Sequence, residues 1–135
     1  VVSEERLHGI GTETTMAKTV SEADIALFEL VTRDIVIAAD EPPAPTRKPR
    51  QIVPPALLAA VMASAAARLA PMPEAVRLEH QTVHFRAPAY TDDTVSAVAE
   101  LTAYDEIQRR ILIHAWCDNQ DGLRLAEGEF VLSDG

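Results

Sequence analysis

From Ile52 to Leu69 the chain reads IVPPALLAAVMASAAARL, an apolar run with no acid and one base, Arg68, near its end. Two prolines stand at its start, and the first turn of a helix tolerates proline because its N–H groups have no intrahelical partner there. Alanine and leucine, both good helix formers, fill the interior. Arg68 lies at the end where the helix dipole favours a cation. The pattern predicts one helix of roughly fifteen residues that is apolar nearly all round, and such a helix is buried in a core or spans a bilayer. Spanning takes about 20 apolar residues. This run is shorter and opens on prolines, so burial is predicted, with strands wrapped around it.

The flanking pattern supplies the strands. Glu13 to Val20 alternates loosely and predicts a first strand. Ser21 to Thr32, SEADIALFELVT, predicts a short amphipathic helix: Ser21 is an N-cap, Asp24 completes a capping-box arrangement, and Ile25, Leu27, Phe28, Leu30 and Val31 follow at helical spacing. Arg33 to Arg50 carries Pro42, Pro43, Pro45 and Pro49 and predicts a long loop. After a turn at Pro71 to Glu74, four runs alternate or partly alternate: Ala75–Pro88, Thr94–Tyr104, Ile107–Asp118 and Leu123–Leu132. Asn119 to Gly122, NQDG, is a hairpin signal. Four consecutive strands with short connections predict an antiparallel meander. Ala59, Ala60, Ala63, Ala65 and Ala66 are expected to let the strands approach the helix closely. The helix has little polar surface, so a partner subunit or a long loop is expected to cover part of it.

Composition narrows the function. At 135 residues, one domain is expected, with residues 1–12 as an irregular lead-in. The net charge of −9 argues against a nucleic-acid partner. Cys117 is the one cysteine, so no intrachain disulfide is expected, and a reducing, cytoplasmic setting fits. No signal peptide is visible at the N-terminus, and no membrane partner is expected. No Cys/His cluster at metal-ligand spacing occurs, so no metal is expected, and no glycine-rich phosphate loop is present.

The order of these strings resembles the MaoC-like, R-specific enoyl-thioester hydratases and dehydratases of the hotdog fold. KTVSEADIALFELVTRD (Lys18 to Asp34) is similar to that family's opening strand, short helix and start of the catalytic loop. QIVPPALLAAVMASAAARL is similar to its central helix. HQTVHFRAPAYTDDTVSAVAELTAYDE and NQDGLRLAEGEFVL resemble its strand–turn–strand segment and last hairpin. The resemblance covers about Lys18 to Leu132. It implies an α+β hotdog domain in which an antiparallel sheet wraps a long central helix. It also implies a dimer formed edge to edge, with an acyl thioester of coenzyme A or of an acyl-carrier protein as ligand and no other cofactor.

Hydration of an enoyl thioester needs a base for the water, an acid for the α-carbon, and donors for the developing oxyanion. The family's loop reads roughly D-x-N-P-x-H, and a His-Gly pair precedes the N–H that polarises the carbonyl. In this chain Asp34 matches the aspartate, Val36 replaces the asparagine and Ala39 replaces the histidine. Pro54-Pro55 replaces His-Gly, and proline has no N–H. Loss of one such group typically slows a reaction by about 10²–10⁴-fold. The candidate catalytic residue is therefore Asp34 alone. Such an acid is either paired with Arg33 or held in a pocket where apolar neighbours raise its pKa. Candidate substrate contacts are Ala39, Pro54, Pro55 and His84. The basic run Arg47, Lys48 and Arg50 is either a solvated loop or a contact for the phosphates of coenzyme A or phosphopantetheine. Hotdog thioesterases usually carry an acid on or near the central helix, and none lies between Pro54 and Leu69.

Three readings follow. The first is a MaoC-like hotdog chain that binds acyl thioesters but lacks the histidine and the His-Gly motif. It would be a homodimer or the non-catalytic partner of another hotdog subunit. The second is an enzyme of another type, a dehydratase, cyclase or isomerase acting on acyl thioesters through Asp34. The third is a non-enzymatic binder of a hydrophobic ligand.

Overall fold

A computed structural model of the protein describes residues 9–32, 50–70 and 76–133. In chain order they form β1 (Glu13–Thr19), α1 (Glu22–Thr32), α2 (Pro55–Ala67), β2 (Arg77–Phe85), β3 (Thr94–Asp105), β4 (Arg110–Asp118) and β5 (Arg124–Ser133). The strands make one sheet in the order β1-β3-β4-β5-β2, with every neighbouring pair antiparallel.

The expected meander is three strands long, not four. β3, β4 and β5 run hairpin to hairpin, but β2 pairs with β5 at the far end of the sheet and not with β3. The connection after β2 explains this. Arg86 and Ala87 still donate their N–H groups to the Leu125 carbonyl. Pro88 then offers no donor to continue the ladder. The chain crosses toward α2, where Val53 donates to Ala89 at 2.8 Å and Ile52 bridges Tyr90. A turn at Thr91–Asp93 leads into β3. Asp93 holds it by accepting from the Tyr90 N–H at 2.8 Å and from the Gln120 amide at 2.9 Å.

Both predicted helices form. The capping box at α1 is reciprocal: Asp24 N–H donates to Ser21 Oγ at 3.1 Å, and Ser21 N–H to Asp24 Oδ2 at 2.9 Å. The central run is helical only from Pro55 to Ala67. Pro54 is extended, at φ −54° and ψ 128°, because the proline after it disfavours the helical region. Ile52 and Val53 are therefore spent on the contacts with Tyr90 and Ala89. β4 begins at Arg110 because Asp105 Oδ1 accepts from the Ile107 and Gln108 N–H groups and turns the chain, leaving Ile107 exposed. Gly122, at φ +79°, makes the predicted hairpin turn before β5.

α2 buries Leu58, Ala59, Val61, Met62, Ala65 and Ala66. Facing it, the sheet presents cross-strand rows of small residues. One row is Ala99–Ala115–Gly128 and another is Ala97–Cys117–Ala126, while Leu101–Ile113–Phe130 is a row of large ones. Small residues on both partners bring the helix close to the sheet, and burial of these apolar surfaces is the main favourable term. Not all the alanines serve this contact: Ala60 is exposed and Ala63 half-buried, on the side of α2 that faces β2. Gly128 is a close approach of backbones, since a Cβ there would lie 2.0 Å from the Thr82 carbonyl oxygen. On the other side, α2 is tied to β1. The Thr14 hydroxyl donates to the Ala65 carbonyl at 2.6 Å, and the Arg68 guanidinium donates to the Thr15 carbonyl at 2.8 Å.

Candidate functional site

The exposed side of α2 and the inner face of β2 enclose a groove of about 470 Å³. α2 contributes Pro55, Ala56, Ala59, Ala60 and Ala63, and β2 contributes Leu78, Gln81, Val83 and Phe85. Alternation along β2 brings Gln81, Val83 and Phe85 to one face. A register shift between Leu78 and His80 restores Leu78 to that face. The groove is open at the sheet end: Leu78 and Phe85 are 46% and 47% exposed. Gln81 is the one polar side chain among the described lining residues.

Pro55 lines this groove and Pro54 precedes it. Neither has an N–H, and Pro54 offers no side-chain cap, so Ala56 carries the first N–H of the helix. Arg50 lies upstream, its guanidinium 4.4 Å from the centre of the Tyr90 ring. His84 is on the opposite face of β2, across from Glu127, and does not line the groove. Asp34, Ala39, Arg47 and Lys48 lie outside the described residues. Of the sequence-predicted contacts, the structure thus brings Pro55 to the groove, with Pro54 next to it in the chain. The sequence reading passed over Gln81. The signal was available, because a polar residue in phase with Val83 and Phe85 stands on the inner face.

A second cavity, of about 290 Å³, lies on the other side of α2, lined by Val20, Leu27, Phe28, Val31, Leu57 and Val61. Its polar lining is the Lys18–Asp24 ion pair, at 3.0 Å. The Ser21 N–H, followed by Lys18, holds the Asp24 carboxyl below its usual range. The outer face of the sheet is polar. His114 and Trp116 stack at 5.4 Å, and Arg86 donates to Glu127 Oε1 from Nε at 2.9 Å and from Nη2 at 2.6 Å. Arg86 keeps the Glu127 carboxyl below its usual range. Cys117 is fully buried. Burial, aided by the Asp118 carboxylate, pushes its thiol up to about 11, which makes it an inert core group. Among the described residues no three His, Cys, Asp or Glu side chains gather where a metal could bind, and no helix is long and apolar enough to cross a membrane.

Solved structures share this arrangement of sheet and helix. An (R)-hydratase from A. caviae involved in PHA biosynthesis superposes with a TM-score of 0.78, covering 93% of this chain and 96% of its own at 23% identity. The fold is the hotdog. Two further solved structures share the fold. The R-hydratase PhaJ1 from Pseudomonas aeruginosa matches at a TM-score of 0.75 and 20% identity, over 93% of this chain and 81% of its own. A chain of the ChsH1-ChsH2 complex from Mycobacterium tuberculosis matches at 0.71 and 15% identity, over 94% and 98%. No protein-family model and no curated protein sequence matches the chain. The likeness is therefore one of fold, and the hotdog's central helix is the one whose start carries two prolines.

Proposed function

We propose that this chain is an acyl-thioester-binding hotdog subunit that does not itself hydrate its ligand. The observation that carries the reading is the start of α2. An apolar groove of the size of a small-molecule site lies along the helix. At the helix start, where a hydratase of this fold is expected to present an N–H to the carbonyl, Pro54 and Pro55 have none. The replacement of the loop histidine by Ala39 points the same way. The likeness to (R)-hydratases supports the ligand class, and the likeness to a chain of the ChsH1-ChsH2 complex supports assembly with a second hotdog chain.

The β2 end of the sheet is where such a partner, identical or different, would add. All but one of the β2 residues are exposed, and a strand laid against the free edge would cover Leu78 and Phe85 at the mouth of the groove. The test is to titrate the purified chain with crotonyl-CoA and to assay hydration in parallel. Binding without turnover is expected. Robust hydration that disappears in Asp34→Asn would overturn the reading in favour of an active enzyme, and absence of binding would leave a structural module.

A further inference from the structure

Nearly every described residue lining the groove between α2 and β2 is apolar, and at its helical end Pro54 and Pro55 bring no N–H, which leaves Ala56 as the first backbone donor. One group stands against this background. Gln81 occupies an inner-face position of β2, opposite fully buried Phe130 and in phase with Val83 and Phe85. Among the described residues its carboxamide makes no hydrogen bond. The outer-face neighbours of Gln81 differ: the His80 ring pairs with the Thr82 hydroxyl at 3.2 Å.

We infer that the Gln81 carboxamide is the carbonyl-binding group of this site, donating an N–H to the thioester oxygen of the bound acyl group. This rests on the acyl-thioester reading above. The chemistry is a match of one to one. The acyl portion of such a ligand has one strong acceptor, its carbonyl oxygen, and among the described lining residues one side chain, that of Gln81, is able to donate to it. A neutral amide holds a neutral carbonyl without placing a charge in apolar surroundings. It sits on the strand wall, across the groove from the proline-started helix, so the carbonyl is held for binding and positioning without the helix-end donor that hydration would use.

The test uses the full chain and two ligands that differ at that oxygen: crotonyl-CoA, and S-butyl-CoA, a thioether with no carbonyl. Calorimetric titration should show the wild type favouring the thioester by about threefold to tenfold, the value of one neutral hydrogen bond. Gln81→Leu should remove that preference and leave thioether affinity unchanged. Gln81→Glu, similar in shape but without the donor, should also lose it. Gln81 is exposed, so both variants should melt at the wild-type temperature. A preference that survives in Gln81→Leu overturns the assignment. So does a variant whose only change is in its oligomeric mass, which would give Gln81 to a partner strand. If the wild type binds both ligands equally, the acyl-thioester reading stands and the Gln81 assignment falls. If it binds neither, both fall.

Discussion

At the β1 end of the sheet α2 leans over the last strand and closes it: Thr14 and Arg68 bond across, and Arg68 occupies a carbonyl that another strand could have used. At the β2 end the helix stands off, the space between is a groove, and no described strand pairs with the outer edge. The same helix therefore does two jobs on its two sides. Edges left open in folded proteins invite strand addition, and edges that are covered do not. The difference makes the β1 end a closed edge and gives the β2 end the groove and edge on which the proposed function rests.

The comparison breaks most severely at Gly128. Gly128→Val places a side chain where Thr82 and Val83 backbone atoms lie, and overpacking of this kind typically costs about 1–3 kcal/mol. Hydrogen exchange should then show protection lost in β2 while β1 keeps it. A smaller effect is expected at the closed end. Thr14→Val removes a half-buried hydrogen bond and should lower stability by about 1 kcal/mol in urea unfolding, with acyl-CoA affinity unchanged. Arg68→Ala should change stability little, but it uncovers the Thr15 carbonyl, and light scattering should show species larger than those of the wild type.

The least effect is expected from charge on the outer face. The folded-state Glu127 carboxyl titrates below its ordinary value of 4.5 because of Arg86. Its contribution is thus present above the unfolded carboxylate range and fades as pH falls through the lowered folded value. Asp24, held by Ser21 and Lys18, has the same sign. Arg86→Ala should flatten the loss of stability below about pH 4.5 and leave the curve near neutrality almost unmoved, as expected of an exposed pair. Equal flattening in Lys18→Ala would show that both ends carry the same acid sensitivity.

Much of this architecture was legible in the residues. The capping box at Ser21, the Asp-Gly turn at Gly122 and the alternation of β3 and β4 are local signals, and each produced the element it announced. The place of β2 was not legible. Its pairing with β5 depends on where the chain goes after Pro88, and that is set by contacts with Val53 and Ile52, more than thirty residues away in sequence. The length of α2 was nearly legible, thirteen residues against roughly fifteen expected, but the use of Ile52 and Val53 as strand-like contacts before it was not. Of the residues that line the groove, Pro55 was named from the sequence. Gln81 was not, because a period-two pattern marks a polar residue on an inner face as a defect unless the groove beside it is known.

Gly128 also carries a meaning beyond stability. How closely β2 can lie against β5 at Thr82 and Val83 is set by a hydrogen where every other residue has a methyl or more. The seating of the strand that forms one wall of the groove is therefore gauged by main chain against main chain. Changes at Ala60 or Ala63 can alter what fills the groove, but the seating of that wall depends on a residue that contributes no side chain at all.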